Sequence, residues 1–259
     1  MDLSTLIGLI AGFAALIGGF LLEGGHLAAL LGLSAVIIVF GGTMGATIVG
    51  IPMDQIKNIP KWIIIAFTDK TMNGENMYHM LVRFSEKARQ EGLLSLESDL
   101  SGVDDEFLRQ GMQLVIDGTD PDITRSILEA NLAVQEVRHK IGIGFFEAAG
   151  GYSPTMGIIG TVMGLVHVLG NLSDVAKLAS SIAAAFLATL YGVALANVLY
   201  LPIANKLKYR DKKESAVKEM VLDGIISIQS GENPAILKEK LRTHLGDIPE
   251  DTPSSLAAE

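Results

Sequence analysis

Two threonines could do chemistry where chemistry is least expected. Thr161 lies in "SPTMGIIGTVMGLVHVLGN" (153–171) and Thr189 in "LASSIAAAFLATLYGVALANVLYLPIAN" (178–205), runs without a formal charge. A membrane anchor needs only Leu, Ile and Val there. A hydroxyl both donates and accepts, so a pair can help coordinate a dehydrated sodium ion or hold water beside a carboxylate. The competing reading is that each bonds a carbonyl one turn back on its own helix, the ordinary use of a membrane threonine. Pro154 and Pro202 flank the same runs; each removes a backbone donor and disturbs one helical turn. Pro154 also suits the first turn of a span. Tyr191 either lines a path or packs. Glu147, just before the third run, either sits at the inner mouth of a path or marks the membrane boundary, and His167 either relays protons or is an interfacial hydrogen-bonded side chain.

The elements that must position these groups follow from composition. Of 259 residues 49% are hydrophobic and 19% charged, with the charges bunched, which is the profile of a membrane protein with a polar portion. Four uncharged runs, Leu3–Leu22, Leu27–Met53, Ala148–Ser173 and Leu178–Asn205, each reach or exceed the roughly 20 residues that cross a bilayer core of about 30 Å. They predict transmembrane helices over about 3–22, 27–50, 151–172 and 178–203. The first is no cleaved signal peptide, since Asp2 precedes it without Lys or Arg and another span follows at once. The connections "EGGH" and "NLSDVAK" hold one basic residue, Lys177. Lys57, Lys61 and Lys70 follow span two, and Lys206, Lys208, Arg210, Lys212 and Lys213 follow span four. The positive-inside bias therefore puts both termini and the large insertion in the cytoplasm.

The expected architecture is an all-α membrane protein of two transmembrane hairpins, with a helical cytoplasmic domain between spans two and three and a helical C-terminal tail. Its divisions are a hairpin over 1–53, the cytoplasmic domain over 54–147, a second hairpin over 148–205, cytoplasmic helices over 206–245 and a flexible tail over 246–259. "GENMYHMLVRFSEKARQEGLLSLESDL" repeats apolar residues at helical spacing, as do "DDEFLRQGMQLVIDG" and "DITRSILEANLAVQEVRHKIGIGFFEAAG". The last has Asp and Pro at its start and is expected to run straight into span three. One or two amphipathic helices follow span four, and "GDIPEDTPSSLAAE" is too polar and proline-rich to pack. Gly160-x-x-x-Gly164, Gly8-x-x-x-Gly12, Gly41-x-x-x-Gly45 and Ala183–Ala185 let helices approach closely, which points to assembly.

Several functions are disfavoured. There is no cysteine, the five histidines show no ligand spacing, and no metal site is expected. A net charge of −9, with basic residues beside acidic ones, disfavours nucleic acid. No phosphate-binding glycine loop or nucleophile constellation supports an enzyme. An ion crossing hydrocarbon needs a carrier, commonly a carboxylate. None of the four runs contains Asp or Glu, so the acid must come from another chain, with this one supplying walls. Thr161 and Thr189 each lie about 12 residues from the turn at about 173–177, which puts both some 18 Å below the outer surface.

"MDLSTLIGLIAGF", "ARQEGLLSLE", "LVIDG", "SPTMGIIGTVMGLV", "FLATLYG" and "PIANKLK", in this order, are similar to motifs of the MotA/PomA stator subunits of the bacterial flagellar motor. The resemblance spans residues 1 to about 245. It implies an ion-conducting stator subunit of the bacterial inner membrane, five copies around two of a MotB or PomB partner that grips peptidoglycan and carries an ion-binding Asp on its single helix. No covalent cofactor is implied; the translocated ion is H+ or Na+. By the same resemblance Thr161, Thr189 and Tyr191 line the path, hydroxyls at both threonine positions look like the sodium-driven branch, and Pro154 and Pro202 couple ion passage to subunit movement. Arg89 and Glu97 match a charged pair that engages the rotor protein FliG. Eight residues apart, they would lie about 80° apart on a continuous helix; a solvated amphipathic face has the same composition. The alternative is an ExbB/TolQ-like energising or scaffold subunit, which usually has three spans in a different order.

Overall fold

The computed structural model describes residues 2–68, 73–170 and 175–245. All its regular elements are helical. In chain order they are α1 (Leu3–Leu22), a 3-10 turn (Leu27–Leu30), α2 (Leu33–Val36), a π turn (Ile37–Gly41), α3 (Gly42–Val49), α4 (Met53–Ile56) and α5 (Ile59–Phe67). Then come α6 (Gly74–Glu91), a 3-10 turn (Leu93–Leu96), α7 (Glu97–Leu100), α8 (Glu106–Ile116) and α9 (Pro121–Leu169). The chain closes with α10 (Val175–Ala194), a second π turn (Leu195–Tyr200), α11 (Leu201–Gln229) and α12 (Pro234–Leu245). Four stretches are long and apolar enough to cross a membrane: Leu3–Leu22, Leu27–Val49 and parts of Pro121–Leu169 and Leu178–Gln229. Lys70, residues 171–174, which include part of the turn expected at about 173–177, and the expected tail at 246–259 lie outside the described residues.

The chain divides into two compact units, 1–70 with 138–210 and 71–137 with 211–259. In the first, α1 starts where the Asp2 carboxylate accepts from the Thr5 amide at 3.3 Å. No residue of α1 is buried within the chain, and a helix so apolar on all sides requires lipid or another helix around it. α4 and α5 also pack in this unit. Trp62 of α5 lies 5.8 Å from Phe145 of α9, and a Cβ at Gly142 would meet the Trp62 ring at 3.0 Å, so α9 must have glycine where the indole crosses it.

Two expectations about the spans need correction. Span two is not one α-helix over 27–50: Leu27–Leu30 is a 3-10 turn, Leu31 and Gly32 are extended, and continuous helix runs only from 33 to 49. The free backbone groups at the break are held by Tyr191 across the bundle, which makes irregular backbone tolerable inside a membrane protein. Pro154 does not occupy a first turn. It lies deep inside α9, which begins at Pro121 and runs unbroken into span three, as the sequence pattern anticipates.

The second unit is a helical core. Leu81 and Phe84 of α6, Leu108 and Met112 of α8, Leu128 of α9, Met220 and Ile225 of α11, and Leu237 and Leu241 of α12 are fully buried together. Glycine permits the tightest contact: a Cβ at Gly111 would meet the Ile225 side chain at 2.4 Å. Each helix has a local cause. Asn73 caps α6 by accepting from the Glu75 amide at 3.0 Å, and Asp105 caps α8 by accepting from Leu108 at 2.8 Å. Asp120 accepts from Asp122 at 2.9 Å where Pro121 opens α9. Removing such a cap costs about 1 kcal/mol.

Candidate functional site

Spans three and four approach closely enough for backbone to touch backbone, because the residues between them are the smallest available. A Cβ at Gly157 of α9 would meet the Ala188 carbonyl oxygen at 2.7 Å and Thr189 Cα at 3.0 Å. One at Gly192 of α10 would meet the Ser153 carbonyl oxygen at 2.5 Å, while Gly160 and Gly164 face the methyl groups of Ala188 and Ala185, each at 2.6 Å. Ser153 adds a buried cross-helix bond, donating to the Gly192 carbonyl at 2.9 Å. In lipid this packing and these hydrogen bonds replace the hydrophobic drive that joins helices in water.

The close approach brings the two threonines together. Their Oγ1 atoms lie 2.5 Å apart. Thr161 Oγ1 also lies 3.1 Å from the carbonyl of Gly157 on its own helix and 2.9 Å from that of Ala185 on α10. The hydroxyl bonds a carbonyl one turn back on its own helix, as the competing reading expects, and also meets its partner across the seam. Two hydroxyls carry two protons. The shorter distances are used when Thr161 donates to a carbonyl and Thr189 donates to Thr161, since the other acceptor for Thr189, Gly157 O, is 3.5 Å away. Thr189 Oγ1 then keeps lone pairs for an incoming acid proton or a cation. Thr47 of span two shows the ordinary alternative, donating only to Thr43 O at 2.7 Å.

Tyr191 follows Thr189 by two residues on α10 and reaches the break in span two. Its hydroxyl donates to the Leu30 carbonyl and accepts from the Gly32 amide at 3.3 Å, so its polar end is committed to backbone. Pro202, the second residue of α11, lies just beyond the π turn Leu195–Tyr200, a wider turn that gives room where a proline ring would press on the carbonyl of Val198 four residues earlier. Glu147 sits within α9, about half exposed, with its carboxylate 3.8 Å from Lys208 Nζ. His167 is exposed near the end of α9.

At the other end of span one the structure gathers charges that sequence reasoning left scattered. Asp2 pairs with Lys206 and, at 3.0 Å, with Arg210 Nη2. Arg210 also donates to the carbonyls of Ile65, at 2.6 Å, and Thr68, while the Asp2 amide donates to Phe67 O at 2.9 Å. Lys206 chiefly, with Ser4 and Arg210, holds the Asp2 carboxyl well below its ordinary range against the opposing effect of burial. This knot ties the start of α1 and the end of α5 to the segment that follows Pro202.

Arg89 and Glu97 are both exposed, but not on one helix. α6 ends at Glu91, Gly92 takes φ +85°, a 3-10 turn intervenes and Glu97 opens α7. The angular estimate for a continuous helix therefore does not apply. What fixes the two segments is an ion pair that sequence reasoning missed, Lys87 Nζ to Asp99 Oδ2 at 2.8 Å. Gly157 was also missed, although G-x-x-G-T-x-x-G over 157–164 carries its signal: glycines at 157, 160 and 164 share the face of Thr161. Gly192, Ser153 and the Asp2 knot have no local signal, because their partners are remote in sequence. Within the chain Gly8, Gly41 and Gly45 face nothing within 4 Å, whereas a Cβ at Gly12 would meet the Val198 side chain at 2.9 Å, so of these two pairs only Gly12 meets another element of the same copy.

Fold and site together define a helical membrane protein whose four spans carry no Asp, Glu, Lys or Arg and whose third and fourth spans hold paired hydroxyls on a glycine seam. The comparisons sharpen this class. Residues 99–220 match the model of the MotA/TolQ/ExbB proton channel family and residues 6–92 that of the Motility protein A N-terminal region. The Motility protein A of Borreliella burgdorferi is 39% identical over 245 residues, covering 95% of this chain and 94% of that one. The C. jejuni MotAB structure superimposes with a TM-score of 0.90 at 28% identity, covering 98% of each chain. The flagellar MotAB stator complex from Bacillus subtilis does so with a TM-score of 0.87 at 35% identity, covering 95% and 96%. The chain belongs to the MotA/TolQ/ExbB proton channel family.

Proposed function

We propose that this chain is the ion-conducting stator subunit of a bacterial flagellar motor, a membrane protein working in several copies around a MotB-type partner. The observation that carries the chemistry is the Thr161–Thr189 pair, 2.5 Å apart in spans that hold no carboxylate. In this reading a transmembrane Asp on the partner carries the ion, H+ or Na+, and docks beside Thr189, whose free lone pairs accept the acid proton or share a sodium ion. Each charge moved through 100 mV yields about 2.3 kcal/mol, so a step can draw only a few kcal/mol unless several ions pass. Changing the charge of the partner's Asp alters its fit against the glycine seam, and the ring, which we take to be five copies, advances to the next subunit. Pro154 and the π turn before Pro202 are the bending points that transmit this movement, with Glu147 at the inner mouth. Tyr191 supports the path by holding span two in place.

The clustered Lys and Arg after spans two and four support cytoplasmic termini in the bacterial inner membrane. Arg89 and Glu97, exposed on either side of the Gly92 corner, are then available to the rotor protein FliG. The match to the Motility protein A N-terminal region supports a motor over an ExbB/TolQ-like scaffold. The chain acts by binding and movement, with no enzymatic step. The test is motor speed in cells lacking other stators, supplied with this chain and its cognate partner, as sodium is varied at fixed membrane potential and pH. Speed rising with sodium identifies a sodium site; speed indifferent to sodium and abolished by a protonophore identifies a proton path. Thr189→Ala should stop rotation without loss of assembly, and unchanged speed in that variant would remove the threonine pair from the mechanism.

A further inference from the structure

α1 and span four meet at one depth and part at another. A Cβ at Gly12 would touch the Val198 side chain at 2.9 Å, whereas Gly8, one turn nearer the start of α1, faces nothing within 4 Å. The gap is a wedge-shaped cavity of about 560 Å3, lined among others by Ser4, Gly8 and Leu9 of α1 and by Pro202, Lys206 and Tyr209 of α11. From Ser4 to Gly12 is about 12 Å along the helix, most of the roughly 15 Å of hydrocarbon in one leaflet. The walls are graded in polarity. The deep end is closed by Gly12 and Val198, and Asn197 beside them is committed to its own helix, donating to the Val193 carbonyl at 2.9 Å. The open end has Ser4, Lys206 and Tyr209, the last 63% exposed. Charge there is unbalanced. Lys206 and Arg210 share the single carboxylate of Asp2, and Lys208 is offset by Glu147, which leaves one net positive charge at the mouth.

We infer that this cavity holds an anionic phospholipid, with one acyl chain between α1 and span four and its phosphate beside Lys206 and Tyr209. An apolar gap left empty forfeits the dispersion contacts of both walls, so a chain from the surrounding bilayer fills it. A helix, about 10 Å across with its side chains, does not enter a wedge whose walls touch at Gly12 and Val198. A free phosphate would leave the apolar depth unused. Basic pockets at the ends of membrane-spanning helices select anionic headgroups, each Lys or Arg contributing about fivefold in affinity, and a tyrosine at that level is an interfacial anchor. Pro202 lines the same cavity, so the lipid touches the bend invoked in the proposed mechanism. That consequence rests on the stator reading; the binding itself does not.

The test reconstitutes the assembly of this chain and its cognate partner with phosphatidylglycerol or phosphatidylcholine, each carrying a photoactivatable diazirine in one acyl chain. Labelled residues are then located by fragmentation mass spectrometry. Phosphatidylglycerol should label Leu9 and Val198 at least about fivefold more than phosphatidylcholine does, the factor of one unshared cation. Gly8→Leu places a side chain in the open space of the cavity and should abolish that labelling, while Leu21, 44% exposed farther along α1, stays labelled. Lys206→Gln should bring phosphatidylglycerol down to the level of phosphatidylcholine. Equal labelling of the cavity by the two lipids in the parent chain would overturn the anionic selection. Labelling at Leu21 with none at Leu9 or Val198 would mean that protein covers the cavity, and would overturn the site. Motor rotation enters neither outcome, so this site and the stator reading fail separately.

Discussion

Gly157→Ala puts the closeness of spans three and four to the most direct test. The new methyl group would stand 2.7 Å from the Ala188 carbonyl oxygen, 3.0 Å from Thr189 Cα and 3.3 Å from Gly192 Cα. All three are backbone atoms, so none can rotate away. Restoring an ordinary contact requires the helices to part by about 0.7 Å, since close carbon contacts begin near 3.4 Å. That movement takes the Thr161–Thr189 distance from 2.5 Å to about 3.2 Å, the edge of a useful O–H···O bond. Overpacking of this kind costs about 1–3 kcal/mol. Replacing a helical glycine with alanine returns roughly 0.5–1 kcal/mol, so the net effect remains destabilising. Gly151→Ala, on the same helix with nothing within 4 Å, has only the favourable term and serves as the control. Thermal denaturation of the purified assembly and motor speed in cells measure the two consequences. Gly157→Ala should melt earlier than Gly151→Ala and run slower. Equal melting and equal speed in the two variants would refute a backbone-to-backbone seam as the device that sets the hydroxyl pair.

Three further predictions follow from single contacts. Tyr191→Phe leaves the Leu30 carbonyl and Gly32 amide without their partner, at about 1–3 kcal/mol for a buried unsatisfied group, and should speed amide hydrogen exchange around residue 32; protection equal to that of the parent chain counts against the tie. Asp2→Asn should destabilise the transmembrane unit at neutral pH. Because the Asp2 carboxyl is held below its ordinary value of 3.8, its contribution is complete above that value and is lost as pH falls below it. The stability gap between Asp2→Asn and the parent should thus stay constant from about pH 5 to 8 and narrow in stronger acid, and a gap that widens in acid would reverse the assignment. Gly92→Ala forces a side chain into φ +85°, ψ 163°, at about 1–3 kcal/mol, and should disturb the corner between Arg89 and Glu97; chemical denaturation with no shift in midpoint would show the corner to be unstrained.

Sequence determined the spans because the bilayer imposes a length and an apolar requirement that local composition must satisfy, and the four uncharged runs do so without reference to one another. It also determined the helical insertion, the opening of α9 at Pro121 and its passage into span three, since apolar spacing and capping are local. The shared depth of Thr161 and Thr189 was legible from counting residues to the turn. That their oxygens meet at 2.5 Å was decided by Gly157 and Gly192, whose effect depends on which backbone lies opposite. Span two reads in sequence as one apolar run, and hydrophobicity cannot report a break that a tyrosine 159 residues away repairs. The corner at Gly92 escaped for a related reason, because charges on both sides keep the amphipathic rhythm while one glycine turns the chain. The Asp2 knot joins residues 208 apart through side chains that look like ordinary boundary charges. Periodicity and composition act along the chain and are written in it; hydrogen-bond partners and close approaches act across it and exist only once the helices have packed.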